Sequence, residues 1–132
     1  MMGCALAFTV AAALEPDPSG VGTHRQLGYA PCLAPILFGR PCPTCGMTTA
    51  FAYAARGDVR SAFHAQPAGL ALALAVLLAG IGAAVVLATG KVWQVNWYRL
   101  PPRRVVLAAA SVVLTGWLYK MVVWSPAAVP VP

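Results

Sequence analysis

Residues Ala68 to Thr89 read AGLALALAVLLAGIGAAVVLAT, a run without one charged side chain. About 20 consecutive apolar residues in a helix cross the hydrocarbon core of a bilayer. A run this long and this apolar admits few folds other than a membrane span. Gln66-Pro67 stands at its start, where proline is tolerated because the first helical N–H has no partner to lose. Gly80 and Gly82 lie within it, two residues apart rather than the four of a GxxxG face. They predict close helix packing rather than a dimerisation motif.

A second apolar run, VVLAAASVVLTGWLYKMVVW, extends from Val105 to Trp124 with a single charge, Lys120, near its end. Lys120 is expected to snorkel to the interface as an anchor. Trp93, Trp97 and Tyr98 flank one end of this pair of runs and Trp117, Tyr119 and Trp124 the other, the spacing of two aromatic belts. Met1 to Leu14 is also uncharged, but at about 1.5 Å per residue it falls short of a core of about 30 Å. Three small residues, Ala11 to Ala13, admit a cleavage site, yet no basic region precedes them. The segment is read as a first, truncated transmembrane helix.

Composition agrees. Of 132 residues, 60% are hydrophobic and 9% charged, against about 25% charged in a soluble domain. The net charge of +6 does not point to nucleic acid, because no basic face follows a helix or groove-reading motif. Lys91, Arg99, Arg103 and Arg104 instead crowd one loop without an acid, whereas Arg25, Arg40, Arg56 and Arg60 are spread over the longer first loop. The positive-inside rule places the dense loop in the cytoplasm and the first loop outside it. With three acids in the chain, acid–base hydrolysis lacks its usual carboxylate partners.

The expected architecture is a single all-α, polytopic membrane domain with three transmembrane helices. Its parts are a first helix over 1–14, an interfacial loop and helices over 15–66, a span over 67–89, a basic loop over 90–104, a span over 105–124 and a flexible tail over 125–132. Within the first loop, Glu15 to Gly20 is a turn-rich helix exit. Gly46 to Arg56 contains good helix formers and Gly57 is placed as a stop. Asp58 is placed as the N-cap of a short surface helix containing Val59, Ala62 and Phe63.

Chemistry concentrates in this loop. Cys42-Pro43-Thr44-Cys45-Gly46 places two thiols three residues apart, with Cys32 upstream. Three readings stand open. Two of the thiols can close a disulfide, with stabilisation of about 2–4 kcal/mol for a Cys32–Cys42 loop. His24, Cys32, Cys42 and Cys45 form a Cys₃His set, H-x₇-C-x₉-C-x₂-C, matching the ligands of a closed zinc site. His64 is the one alternative histidine. A thiol oxidoreductase would use Cys42 and Cys45, with Pro43 in the first turn of a helix starting near Thr44 and Cys42 at its positive end. No strand pattern supports a thioredoxin-like unit. Thr48 and Thr49 are expected to cap the turn.

The run from Asp17 to Gly69 resembles the domain-of-unknown-function family 2752, small bacterial membrane proteins. The matching residues are Asp17-Pro18 with Gly20, Cys32, the stretch from Cys42 to Ala50, Gly57-Asp58, Ala62-Phe63 and Pro67. Thr48-Thr49 stands where the family usually has threonine-arginine, and Gln66-Pro67 where it usually has asparagine-proline. The resemblance implies a bacterial inner-membrane protein with this cysteine core and no assigned activity. The expected role is that of a non-enzymatic subunit or scaffold whose cysteine cluster fixes the fold by disulfide or zinc. Its expected partners are the lipid bilayer and another membrane protein. The alternative is a membrane thiol–disulfide oxidoreductase or a metal-handling protein using Cys42 and Cys45.

Overall fold

The computed structural model describes residues 2–30, 32–90 and 101–124. Among these, every regular element is helical: α1 (Met2–Ala13), a 3-10 turn (Thr23–Leu27), α2 (Leu33–Phe38), α3 (Met47–Ala55), α4 (Val59–Ala65), α5 (Pro67–Thr89) and α6 (Pro102–Val123). Lys91, Arg99, Trp93, Trp97, Tyr98 and the proline-rich tail lie outside the described residues.

Two helices, α5 and α6, are long and apolar enough to cross a membrane, and only 11% of the most apolar window of each is buried within the protein. Leu72, Leu74, Leu78, Ile81 and Leu87 on α5 and Val106, Leu114, Leu118 and Val122 on α6 are exposed. Such faces need an apolar surrounding, since each large aliphatic side chain moved out of water gains about 1.5–3 kcal/mol. At 12 residues, α1 rises about 18 Å. Two described helices, rather than the expected three, therefore reach span length. Cys4 of α1 lies beside Gly80, where an added Cβ would come 3.4 Å from the Cys4 Cβ. So α1 runs along α5 from mid-helix to the loop end. Gly82, in contrast, meets open space.

The local signals in the loop act as expected. Pro67 opens α5, with Gln66 extended ahead of it. Gly57 (φ +78°) follows the end of α3. The Asp58 carboxylate accepts from the Ser61 N–H at 3.0 Å and caps α4. The last helix begins at Pro102, so Arg103 and Arg104 lie in its first turn rather than in a loop.

The core is built from small side chains. Ala50, Ala52 and Ala62 are completely buried, with Ala73 close behind. A Cβ on Gly69 would stand 2.8 Å from the Ala50 Cβ, and one on Gly116 2.8 Å from the Ala68 Cβ. These two glycines set how closely α3 and α6 approach α5. Helices in lipid associate through such contacts, because lipid supplies no hydrophobic drive between them. The N-terminal end of α5 and the C-terminal end of α6 thus meet at one level, and α3 and α4 pack there.

Candidate functional site: a three-cysteine cluster

The cluster is built by a turn that stops short of a helix. Cys45 N–H donates to the Cys42 carbonyl at 3.0 Å, and Cys42 N–H donates to Cys45 Sγ at 3.3 Å. Gly46 then takes φ +90° as the N-cap of α3, a conformation open to glycine at little cost. This left-handed residue separates the turn from the helix. Cys42 therefore does not sit at a helix N-terminus, and the dipole argument for an activated thiolate there fails.

Cys32, at the start of α2, folds back onto the turn. The sulfurs of Cys42 and Cys45 lie 2.9 Å apart, and Cys32 Sγ is 3.5 Å from each. All are free thiols, as is Cys4, which lies apart from them on α1. The Thr44 hydroxyl is 3.3 Å from Cys42 Sγ. Burial opposes ionisation of Cys42. The contacts from Cys45, Thr44 and Cys32 outweigh it and bring the thiol below its ordinary value. Cys45 is driven strongly upward, first by burial and then by the neighbouring Cys42 sulfur.

The three sulfurs can meet one ion. Zn–S bonds of about 2.3 Å in a tetrahedron put sulfurs about 3.8 Å apart. A modest opening of the present triangle reaches that spacing. His24 is not part of the convergent set, which contains only the three cysteines. It lines the same cavity of about 360 Å³, with Arg25, Met47 and Thr48. Of the four residues picked out by spacing, three are brought together, and the fourth stands on the cavity wall.

Other residues of the site come from parts of the chain that carry no cysteine. Trp117 and Trp124 donate their indole N–H groups to the Pro41 and Gly39 carbonyls, each at 3.0 Å. Gln66, fully buried, donates to the Pro43 carbonyl at 3.0 Å, inside the motif itself. Lys120 does not snorkel. It is 5% exposed and donates to the Ala65 and Gly20 carbonyls at 2.7 and 3.3 Å. Thr49 meets the hydroxyl of the buried Thr23 at 2.8 Å, while α3 has no side-chain cap; the expected capping role is thus replaced by a tie between α3 and the 3-10 turn. The sequence signal for Lys120 was its isolation in an apolar run, which reads equally well as anchor or as buried donor.

The fold and site together define an all-helical protein with two candidate spans and a three-thiol loop at one end of them. Residues 32–80 match the family model DUF2752, described as a protein of unknown function. The match runs from the first cysteine of the cluster to the middle of α5, in agreement with the resemblance seen in the sequence. No curated protein and no solved structure matches the chain.

Proposed function

We propose that this chain is an integral membrane protein, a subunit or scaffold rather than an enzyme, in which Cys32, Cys42 and Cys45 hold one soft metal ion. The observation that carries the reading is the convergence of three sulfurs, from two separate segments, within 4.8 Å of one another. Thiolates select zinc, copper(I) and iron–sulfur centres over hard cations. For zinc, three sulfurs leave a fourth position, which faces the cavity and which water or His24 fills. In this reading α1 enters the bilayer beside α5 as a third, shorter membrane helix. The cysteine loop faces away from the cytoplasm, at the end of α5 and α6 remote from Arg103 and Arg104.

The test is metal content after anaerobic purification in detergent. About one metal per chain is expected, lost on Cys42→Ser and on Cys32→Ser, and retained on Cys4→Ser. Metal-free protein from cells supplied with zinc and copper sinks the proposal.

A second reading, a membrane thiol–disulfide enzyme, draws support from the 2.9 Å approach of Cys42 to Cys45. It requires that Cys32 be dispensable, although Cys32 touches both sulfurs. Disulfide reductase activity surviving in Cys32→Ser and absent in Cys42→Ser would favour it over the metal centre.

A further inference from the structure

A second cavity, of about 540 Å³, opens on the other side of the Gly20 loop, between α4 and the last turn of α6. Its wall includes Arg60, Ser61 and His64 from α4 and Lys120 and Trp124 from the end of α6. No carboxylate lines it. Asp58, the N-cap of α4, accepts from the Ser61 N–H and also acts electrostatically on Arg60 from outside the cavity. Lys120 is the decisive member. Its ammonium is drawn almost wholly out of water, and its neighbours are two carbonyls and the Trp124 ring, whose centroid is 5.9 Å away. An ammonium has three N–H groups; two are accounted for by carbonyls, and the ionisable group that acts on it from the other side, Cys45, is kept neutral by burial in the metal-free protein. Burying a cation without a counter-charge is expensive, and the cavity gives an anion access to it. His64 Nδ1 is engaged by the Tyr119 hydroxyl at 3.0 Å, which fixes the ring on the cavity wall.

We infer that this cavity binds a phosphate group, held between Arg60 and Lys120 with His64 beside it. Arginine and lysine are the side chains that recognise phosphate, the first through paired donors and the second as a point charge. Two sources share this chemistry: the headgroup of an anionic phospholipid and free phosphate. The site lies at the last turn of a span-length helix, beside Trp124, at the depth where headgroups meet aromatic side chains. No cysteine lines this cavity, although Cys45 acts on Lys120 electrostatically from the other side, so the titration is run on metal-free, reduced protein.

The experiment is calorimetric titration of the full chain, delipidated in a neutral detergent, with three probes: dihexanoyl phosphatidylglycerol, dihexanoyl phosphatidylcholine and inorganic phosphate. Saturable binding of phosphatidylglycerol or of phosphate supports the site. Phosphatidylglycerol alone marks a lipid headgroup, and phosphate alone a soluble anion. Arg60 is exposed, so Arg60→Gln and Arg60→Glu leave the fold intact, as circular dichroism will check. Arg60→Gln is expected to weaken binding about tenfold, the scale of one charge-assisted contact, and Arg60→Glu to abolish it. Absence of binding by both anionic probes overturns the inference. So does equal binding of the two lipids without phosphate binding, or affinity unchanged in Arg60→Glu.

Discussion

Gly46→Ala tests how the cysteine turn is held. At φ +90°, any side chain costs about 1–2 kcal/mol through the left-handed backbone alone. The new methyl would also stand 2.6 Å from the Gly20 carbonyl oxygen and 2.7 Å from that of Ala65. Both are backbone atoms, and both already accept from Lys120. They cannot swing aside without breaking that contact, so overpacking adds roughly 1–3 kcal/mol. The expected total is about 2–5 kcal/mol. Gly57→Ala supplies the control. It lies at the other end of α3 with φ +78°, and nothing stands within 4 Å of its would-be Cβ. It therefore carries the backbone cost alone, about 1–2 kcal/mol. The difference between the two variants isolates the crowding of the two carbonyls.

The assay is reversible unfolding in mixed micelles of mild detergent and dodecyl sulfate, followed by tryptophan emission. Gly46→Ala should unfold at distinctly lower denaturant than Gly57→Ala. A second cycle adds Lys120→Met. If Lys120 pins the carbonyls that Gly46 faces, the two changes couple by about 0.5–3 kcal/mol instead of adding. Equal destabilisation by the two alanines, or strict additivity with Lys120→Met, would refute the reasoning.

Three further outcomes are expected. Gly116→Ala drives a methyl to 2.8 Å from the Ala68 Cβ and should destabilise by about 1–3 kcal/mol; Gly82→Ala, with nothing within 4 Å, should be neutral or mildly stabilising in the same unfolding assay. In metal-free, reduced protein, Cys42 should alkylate before Cys45 at every pH, because its thiolate forms as pH rises through a depressed value while that of Cys45 is held off; equal rates by mass-spectrometric mapping would contradict the arrangement. The Asp58 carboxyl is held below its usual value by its hydrogen bonds with Ser61, so its capping contribution is complete above the unfolded-state value of about 3.9 and is lost as pH falls through the lower folded-state value. A carbon-detected titration of Asp58 showing no depression would remove that cap.

The backbone plan was legible because it rests on local rules. An uncharged run, a proline at its first turn, a glycine after α3 and an aspartate before α4 each act within a few residues. The cysteine cluster was partly legible for the same reason, since Cys42 and Cys45 share one turn. That Cys32 joins them depends on how the chain returns through α2, which no spacing dictates. His24 shows the converse: its spacing suits a zinc ligand, but its position on the 3-10 turn leaves it outside the convergent sulfurs. The roles of Trp117, Lys120 and Trp124 were not legible at all. Residues near the end of a span are equally suited to face headgroups or protein, and only the packing of α6 against the loop decides.

That packing bears on what the cysteines are for. The loop carries backbone carbonyls at Gly20, Gly39, Pro41, Pro43 and Ala65 that accept from Lys120, Trp124, Trp117 and Gln66. Of these contacts the one to Ala65 is buried, and leaving that acceptor without its donor would cost about 1–3 kcal/mol; the others are partly buried or exposed. The donors come from the entrance of α5 and the last turns of α6, so the two long helices fix the loop without using a thiol. In a small zinc domain, by contrast, metal affinity and folding free energy are inseparable. Here the three sulfurs are already gathered by other contacts, and in the proposed metal centre most of the binding energy would remain available for holding the ion. Cys42→Ser should therefore empty the proposed metal site while leaving the tryptophan emission and the unfolding midpoint of the metal-free protein nearly unchanged. A variant that instead unfolds like Gly46→Ala would make the cysteines the staple of the loop rather than a centre presented by it.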